Sequence, residues 1–377
     1  MSENICVHNM MLKEFGMDFF CGVRAPFSAG IELTAKCNLR CIHCYAQNER
    51  NHMDMTTEQV KQVIDILVEH GCLSIFYTGG EVFCRKDFAE LYIYARKKGL
   101  LVSVLSNITM LTEEHIRLFT EYPITQLSTT MYGYEEDTYE AVTRVKGSYK
   151  EFMRALDLVQ KSGIPYELKF IGMEQNIADV YKCRALAKKL GVNMITCIDI
   201  RATSDGSEEP INYRVSPEQA FEFDVKDEGR HDFWMELARQ EYTAKKNHVE
   251  AHDFVRKKAG YLYPCWISYQ AVFITSEGMM QGCITASYKQ YDLLKGNFDE
   301  GWEYLKKEFY DKKASNNFEC LSCEKFTYCE QCTANPALEF KDEEHISPFH
   351  CRVAELRKQM VDEEIARLEL IDGDDEE

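Results

Sequence analysis

A short segment near the start of the chain carries three closely spaced cysteines. The residues CNLRCIHC occupy positions 37–44, so Cys37, Cys41 and Cys44 follow the spacing C-x3-C-x2-C. Thiolates are soft ligands that suit zinc, copper(I) and iron–sulfur clusters. A cubane [4Fe–4S] cluster normally takes one cysteine per iron, so three cysteines would leave one iron open to a substrate or cofactor. The alternatives are buried structural cysteines, or a zinc site completed by a distant ligand or by His43.

A second group of seven cysteines lies late in the chain. Cys265 is followed after twelve residues by Gly278 and after four more by Cys283, and the group continues with Cys320, Cys323, Cys329, Cys332 and Cys351. Two neighbouring C-x2-C pairs are typical of a zinc ribbon. Seven ligands are too many for one four-ligand zinc ion, however, and they do not fill two such sites. The other six cysteines show no metal spacing.

The composition fits a globular chain in a reducing compartment. Sixteen of the 377 residues are cysteine, and clustered cysteines in the reducing cytosol more often bind metal than form disulfides. No apolar run approaches the ~20 residues of a membrane helix, and the N-terminus lacks a secretory signal pattern. The net charge of -18 argues against binding to phosphate backbones. We therefore expect a cytoplasmic protein with neither a membrane nor a nucleic-acid partner.

Short apolar runs alternate with amphipathic stretches between residues 30 and 200. Six runs rich in β-branched residues predict strands buried on both faces: GIEL (30–33), LSIFYT (73–78), LVSVLSN (101–107), ITQLSTTMY (124–132), YELKFIG (166–172) and NMITCIDI (193–200). Five helical patterns lie between them, at 56–71, 86–99, 111–122, 148–163 and 177–191. The first has a Thr-x-x-Gln capping box. This alternation predicts a parallel α/β sheet that forms a partial or whole barrel.

The most informative polar residues follow the ends of these strands. The first strand runs into the three cysteines, the second into TGGE (78–81), the third into Ser106 and Asn107, and the fourth ends near Thr130. In parallel α/β folds, functional loops lie at the carboxyl ends of the strands. We therefore expect these residues to converge on one site.

The early motifs together resemble those of the radical S-adenosylmethionine (radical SAM) enzymes, and the resemblance extends over most of the chain. CNLRCIHCY resembles the family's cluster motif, and TGGE resembles its Gly-Gly-Glu motif, which binds the amino group of S-adenosylmethionine (AdoMet). Glycine lets a backbone approach a ligand closely, and a carboxylate pairs with an ammonium. LSN (105–107) and Thr130 fall where the family contacts the ribose, and Arg144 resembles a residue that pairs with the AdoMet carboxylate. The implied AdoMet site comprises Tyr45, Gly79, Gly80, Glu81, Ser106, Asn107, Thr130 and Arg144.

The resemblance implies a partial (β/α)6 barrel with a [4Fe–4S] cluster on Cys37, Cys41 and Cys44. In this family the open iron chelates AdoMet, and the reduced cluster passes one electron to the sulfonium. The resulting 5′-deoxyadenosyl radical abstracts a hydrogen atom from the substrate. The cofactors carry this chemistry, while the protein orients them and excludes solvent. An electron donor such as flavodoxin or ferredoxin is implied.

The late cysteines resemble the SPASM extension of many peptide-modifying radical SAM enzymes, which holds two auxiliary [4Fe–4S] clusters. The pattern departs once, because two residues separate Cys329 from Cys332 where three are usual. The family pattern implies a distal cluster on Cys320, Cys323, Cys329 and Cys351, and a proximal cluster on Cys265, Cys283 and Cys332. Some members supply a fourth proximal cysteine, but that position is Ala271 here. We therefore expect an open proximal iron that could bind a substrate thiolate.

The character of the chain changes near residue 258, where cysteines, short strands and turns begin. We predict an N-terminal segment (1–27), a radical SAM partial barrel (28–216), a helical bridge (217–258), a SPASM domain (259–355) and a C-terminal helix with an acidic tail (356–377). The stretch RVAELRKQMVDEEIARLEL (352–370) has the pattern of an amphipathic helix, and DGDDEE is expected to be disordered.

The resemblance implies a ribosomally made precursor peptide as substrate, and the open proximal iron favours a thioether bond from a cysteine sulfur to carbon. Many peptide maturases carry a leader-binding domain of ~80 residues, and a compact domain could not be much shorter. Only about 30 residues precede the barrel here. We therefore expect either a separate leader-peptide recognition protein or direct binding by the body of the enzyme.

Several other functions remain open at this point. They are formylglycine maturation of sulfatases, carbon–carbon crosslinking or epimerisation of a peptide, and small-molecule dehydrogenation. Sulfatase maturases usually have a fully ligated proximal cluster, and Ala271 argues against that type. A non-enzyme alternative is an electron carrier or a zinc scaffold. No general base is singled out by the sequence.

Overall fold

The computed structural model describes residues 23–46, 53–249 and 255–374. These residues form two compact units. The first runs as far as Arg214 and also includes Cys265–Lys312, and the second comprises Val215–Pro264 and the chain from Lys313 onward. Among the described residues, no helix has the length and apolar character needed to cross a membrane.

The first unit is built on one sheet, which has nine strands in the described part of the chain. They are β1 (Ser28–Thr34), β2 (Ser74–Gly79), β3 (Leu101–Leu105), β4 (Gln126–Thr130), β5 (Tyr166–Ile171), β6 (Met194–Cys197), β7 (Ala271–Ile274), β8 (Met279–Gln281) and β9 (Tyr291–Asp292). The strand order is β6-β5-β4-β3-β2-β1-β7-β8-β9. Strands β1 to β7 pair in parallel, and β8 and β9 continue antiparallel. The six predicted strands and the partial barrel are confirmed.

Helices separate the parallel strands, as the sequence predicts. The helices of the described chain are α1 (Thr57–Glu69), α2 (Phe88–Lys97), α3 (Glu113–Glu121), α4 (Glu136–Thr143), α5 (Ser148–Ser162), α6 (Val180–Leu190), α7 (Pro217–Lys226), α8 (Glu228–Lys246), α9 (Val255–Lys258), α10 (Phe298–Leu305), α11 (Asn335–Glu339) and α12 (Pro348–Asp374). Thr56 caps α1 with the predicted capping box to Gln59. The short helix α4, between β4 and α5, was not predicted.

The strand register sorts apolar and polar side chains onto opposite faces of the sheet. Ile31 pairs with Tyr77, whose hydroxyl donates to the Leu91 carbonyl of α2 at 3.0 Å, so this row faces the helices. The alternate row includes Ser128 paired with Glu167, and the Ser128 hydroxyl donates to that carboxylate at 2.7 Å. Successive strand residues point to opposite faces, so polar side chains such as Ser128 and Glu167 lie on the inner face of the partial barrel, beside apolar ones such as Phe76.

The compact units do not follow the predicted domain boundaries. The proposed SPASM segment 259–355 is divided, because Cys265–Lys312 belongs to the first unit. The physical reason is that the apolar strand β7 pairs in parallel with β1, from Ser28 opposite Ala271 to Ile31 opposite Ile274. This pairing covers a strand edge that would otherwise be exposed.

The second unit is a helical core joined to a cysteine-rich segment. Trp234, Leu237 and Ala238 of α8 pack with Tyr328 and with residues of α12. Helix α12 contains the predicted amphipathic stretch and begins earlier than predicted, at Pro348. The segment predicted as a helical bridge (217–258) belongs to this unit.

Candidate active site

The cysteine loop begins directly after β1 and is anchored at both ends. Asp54 accepts hydrogen bonds from the Thr34 hydroxyl at 2.6 Å and from the Ala35 amide at 2.9 Å. Further along, the Arg40 amide donates to the Thr143 carbonyl at 2.9 Å, at the end of α4. Cys41 is buried, and Cys37 and Cys44 are half-buried. Asp54 was not predicted, since its role depends on a contact that no motif indicates.

The two glycines after β2 lie against the backbone that leads to Cys37. The Gly80 amide donates to the Thr34 carbonyl and the Glu81 amide to the Lys36 carbonyl, both at 2.8 Å. A Cβ atom on Gly80 would lie 2.3 Å from the Lys36 oxygen, and one on Gly79 would lie 2.3 Å from the Thr34 oxygen. Gly79 also has a φ of 136°, which L side chains rarely adopt. These contacts explain why both positions require glycine.

Glu81 joins the loops after β2 and β3. Its side chain is 1% exposed, and its carboxylate accepts hydrogen bonds from the Ser106 hydroxyl at 2.7 Å and the Asn107 amide at 2.8 Å. The Phe83 amide donates to the same group at 3.1 Å. Burial raises the pKa of Glu81 to about 7, although these hydrogen bonds oppose the rise. The carboxylate therefore has a positioning role, and its predicted contact with the AdoMet amino group stays a prediction.

Asn107 connects the third strand end to the cysteine loop. Its side-chain amide donates to the Asn38 carbonyl oxygen at 3.0 Å and lies 3.9 Å from the Cys37 sulfur. Asn38 in turn donates to the Thr109 hydroxyl at 2.7 Å. The structure thus brings Cys37, Glu81 and Asn107 together, as predicted from their places at strand ends. Asn38 is a further contributor that the sequence analysis missed.

The remaining predicted AdoMet residues make other contacts within the first unit. Thr130 is the last residue of β4. The Tyr45 carbonyl accepts a hydrogen bond from the Ser204 amide at 2.8 Å. The Arg201 guanidinium lies 4.4 Å from the centre of the Tyr45 ring. Arg144 follows α4 directly, with a left-handed φ of 55°, and donates to the Tyr213 hydroxyl at 2.8 Å. Their roles toward AdoMet stay predictions.

The chemistry of the cysteine loop fits a cluster with one open position. The Leu39 amide donates to the Cys37 sulfur at 3.3 Å, and hydrogen bonds of this kind favour the thiolate form. The pKa of Tyr132 is raised well above its ordinary value, chiefly by burial. Smaller contributions come from Cys41, Tyr139, Cys37 and Cys44, so all three thiols of the loop lie near this phenol.

His43 stands between two of these cysteines and offers a possible further ligand. Burial lowers its pKa to about 4, so the ring is neutral. Within the described chain its buried Nδ1 atom has no hydrogen-bond partner. No three Cys, His, Asp or Glu side chains of the described residues gather closely enough for one metal ion. In a cubane each thiolate binds a different iron, so cluster ligands lie farther apart than the ligands of one ion.

Four late cysteines lie close together in the second unit. The Cys323 amide donates to the Cys320 carbonyl at 3.4 Å, and the Cys351 amide donates to the Ser347 carbonyl at 3.0 Å in the first turn of α12. Burial raises the pKa of the Cys320 thiol to about 11, and nearby Cys323 and Cys351 add to the rise. Burial likewise raises the pKa of Cys329 to about 11, with Cys351 and Cys320 nearby. These four residues are the predicted distal set.

The predicted proximal set is divided between the units. Cys265 and Cys283 belong to the first unit and Cys332 to the second, so their common cluster stays a prediction. Within the first unit, a Cβ atom on Gly282 would lie 2.7 Å from the Ser268 hydroxyl, so the segments that carry Cys265 and Cys283 approach each other. Gly278, the glycine of this motif, makes the turn from β7 to β8 with a φ of 84°.

Comparison with known proteins identifies the first unit. Residues 31–187 match the Radical SAM superfamily. Fe-coproporphyrin III synthase of Methanosarcina barkeri is 33% identical over 150 residues, which are 39% of this chain and 37% of that protein. The antilisterial bacteriocin subtilosin biosynthesis protein AlbA of Bacillus subtilis is 24% identical over 260 residues, which are 68% of this chain and 55% of AlbA. The alignments thus span 37% and 55% of these curated relatives.

The fold similarity extends further along the chain. The crystal structure of Streptococcus suis SuiB bound to precursor peptide SuiA matches 93% of this chain and 82% of SuiB, with a TM-score of 0.66 and 14% identity. At this identity the likeness concerns the fold alone. The family match is therefore to residues 31–187, and the described chain has a fold like that of SuiB.

Proposed function

We propose that this protein is a radical SAM enzyme that modifies a ribosomally made precursor peptide, and that it forms a thioether crosslink. The observation that carries the proposal is the convergence of three strand-end loops on Cys37. Glu81 joins two of these loops, and Asn107 reaches the third at Asn38. The bacteriocin-biosynthesis relative and the peptide-bound structure of similar fold support a peptide substrate.

The proposed cofactors are AdoMet and three [4Fe–4S] clusters. Cys37, Cys41 and Cys44 would hold the first cluster, and the distal and proximal cysteine sets would hold the other two. When bound and reduced, the first cluster and AdoMet supply a 5′-deoxyadenosyl radical that abstracts hydrogen. Electrons would come from a donor such as flavodoxin or ferredoxin.

The chain's own residues bind and orient the cofactor. Gly79 and Gly80 let the backbone after β2 pack directly against the chain that leads to the cysteine loop, since a Cβ atom at either position would strike backbone. Glu81 holds the loop that carries Asn107, so backbone and side-chain groups there are fixed before AdoMet arrives. Such preorganisation lowers the ordering cost of binding.

The inner face of the partial barrel is suited to a polar substrate. Ser128 and Glu167 lie on this face, and the pair of Thr130 with Lys169 lies two residues nearer to the strand ends. A peptide presents many hydrogen-bonding groups, and buried polar groups need partners. We propose that the peptide segment to be modified enters from the strand ends toward these residues, with its leader held by the body of the enzyme or by a separate recognition protein.

The thioether assignment depends on the proximal cluster. Ala271 occupies the position where some relatives of this type have a fourth cysteine, and it is the first residue of β7, opposite Ser28. Its methyl group cannot bind iron, so an open iron there would accept the substrate thiolate. The carbon would give one hydrogen atom to the 5′-deoxyadenosyl radical, and the thiol would give up a proton to solvent and one electron to the auxiliary clusters as the sulfur–carbon bond forms.

A second candidate function is modification of a tetrapyrrole. The observation in its favour is the 33% identity to Fe-coproporphyrin III synthase, which covers 150 residues. Sulfatase maturation, carbon–carbon crosslinking, epimerisation and small-molecule dehydrogenation are further alternatives on the same scaffold.

The deciding experiment offers both substrate classes to the anaerobically reconstituted enzyme. A cysteine-containing precursor peptide, encoded near this gene, is expected to lose two hydrogen atoms per crosslink and to lose a free thiol on mass analysis. A tetrapyrrole precursor of Fe-coproporphyrin III is expected to remain unchanged. Conversion of this tetrapyrrole without change in the peptide would contradict the peptide proposal and favour the second candidate.

A further inference from the structure

A buried ring of four charged side chains lies in the second unit. Arg230 binds Asp224 at 2.7 Å and Glu330 at 2.9 Å, and Arg357 binds Asp224 at 2.6 Å and Glu330 at 2.9 Å. Asp224 is 0% exposed and Arg357 is 3% exposed. Each arginine therefore bridges the same two carboxylates, and every charge of the ring is paired with two opposite charges.

Aromatic packing fixes both guanidinium groups. The Arg357 guanidinium lies 4.9 Å from the centre of the Trp234 ring and that of Arg230 lies 5.4 Å from it. Trp234 is itself fully buried in the core between α8 and α12. The planar guanidinium suits both bidentate carboxylate pairing and stacking on an aromatic face. The ring is therefore rigid, and three of its members belong to the helices α7, α8 and α12.

The fourth member, Glu330, lies on the cysteine loop. It directly follows Cys329, and Arg357 also donates to the carbonyl of Tyr328, the residue directly before Cys329, at 3.1 Å. Both chain neighbours of Cys329 are thus held by the ring. The segment Cys329–Cys332 is also the one that is a residue shorter than the usual SPASM pattern.

We propose that this ring of ion pairs is a positioning device that directs the Cys329 thiol toward Cys320, Cys323 and Cys351, so that the distal cluster assembles on the shortened C-x2-C loop. The inference rests on the proposed function, because it assumes that the distal set holds a cluster. Buried ion pairs are often replaceable by apolar residues without loss of stability, so the role assigned to this ring is conformational specificity on a ligand loop. Glu330 acts here through Cys329 and does not itself bind iron.

The chain offers a matched control at the other C-x2-C pair. Glu324 directly follows Cys323, just as Glu330 follows Cys329, but Glu324 is exposed. Glu324→Gln and Glu330→Gln therefore remove the same charge next to a ligand of the same proposed cluster. Asp224→Asn provides a second comparison, because it disturbs the ring from α7, away from the cysteine loop.

The test uses the full-length chain with Cys37, Cys41 and Cys44 replaced by alanine, so that only auxiliary clusters remain. This parent should contain about eight irons per chain. Glu330→Gln is expected to lose about half of this iron, together with the electron paramagnetic resonance signal of one reduced cluster. Glu324→Gln should keep both, and Glu330→Asp should recover part of the iron. Asp224→Asn should lower the thermal midpoint while it retains the iron, because Arg230 and Arg357 can still pair with Glu330.

Two outcomes would overturn the inference. One is a Glu330→Gln chain with the iron content and resonance spectrum of Glu324→Gln. The other is equal iron loss in Asp224→Asn and Glu330→Gln, which would make the ring a general stabiliser of the unit. A parent chain without auxiliary iron would instead refute the proposed auxiliary clusters, and with them this inference.

Discussion

The Ser106 hydroxyl donates a hydrogen bond to the buried carboxylate of Glu81 at 2.7 Å. This bond crosses from the loop after β3 to the loop after β2, and the Asn107 amide reinforces it at 2.8 Å. Asn107 then reaches Asn38 in the cysteine loop. A single carboxylate thus helps to set the relative positions of three loops, and its removal should affect AdoMet binding more than the packing within the second unit.

Replacement of Ser106 by alanine tests this relationship. The change leaves a buried carboxylate with one donor fewer, which costs about 1–3 kcal/mol. We expect the KM for AdoMet to rise about tenfold, since ~1.4 kcal/mol corresponds to a factor of ten. The measurement is 5′-deoxyadenosine production at varied AdoMet concentration. Ser162→Ala, which removes a hydroxyl at the end of α5, is the control, and equal KM values in both variants would contradict the account.

The pH dependence of stability should carry the signature of Glu81. Burial raises its folded-state pKa from 4.5 to about 7, so the unfolded chain releases this proton first as the pH rises. Protonated Glu81 therefore stabilises the folded chain below pH 4.5, and this stabilisation is lost as the pH rises toward 7. We expect Glu81 to lower the free energy of unfolding by up to about 3 kcal/mol across this pH range.

Glu81→Gln should flatten this dependence, because glutamine does not titrate. The measurement is the denaturant midpoint of the anaerobic protein at pH 5 and at pH 8. Glu69→Gln, at an exposed position at the end of α1, should leave the dependence unchanged. A Glu81→Gln chain with the same pH dependence as the unchanged protein would disprove the assignment.

Gly80 should tolerate no side chain. An alanine Cβ would lie 2.3 Å from the Lys36 carbonyl oxygen, so the backbone that leads to Cys37 would have to move. We expect Gly80→Ala to lose at least tenfold in AdoMet cleavage and to bind less iron. Gly229→Ala in α8 is the matched control, because its Cβ atom would lie 3.6 Å from the nearest atom. Within a helix, alanine is more stabilising than glycine by about 0.5–1 kcal/mol. Normal iron content and activity in Gly80→Ala would contradict the requirement for glycine at this position.

Ala271→Cys tests the proposed open iron. A thiolate at the start of β7 should complete the proximal ligand set, as it does in related patterns. We expect the variant to keep AdoMet cleavage and its iron content but to lose about 90% or more of thioether formation on the peptide, because the proposed mechanism needs a free coordination position. Ala271→Ser introduces a side chain of similar size to cysteine but without a thiol, and it should lose far less thioether formation. Full crosslinking activity in Ala271→Cys would argue for a mechanism without thiolate coordination at this cluster.

The sequence predicted the six barrel strands and the convergence of their loops because parallel strands have distinctive apolar runs and their carboxyl ends share one edge. It did not predict that β7 would join the sheet beside β1, since AVFI is too short to reveal its partner. Residues such as Asp54 and Asn38 act through contacts distant in sequence, which no local pattern encodes. The ring around Glu330 was missed for the same reason, because its members come from four separate segments.

AdoMet cleavage is the most direct test of the central claim. The anaerobically reconstituted protein, reduced with dithionite, should convert AdoMet to 5′-deoxyadenosine and methionine. A Cys37→Ala, Cys41→Ala, Cys44→Ala chain should produce none, yet retain the iron of its auxiliary clusters. Absence of 5′-deoxyadenosine from a protein that carries about twelve irons per chain would contradict the account.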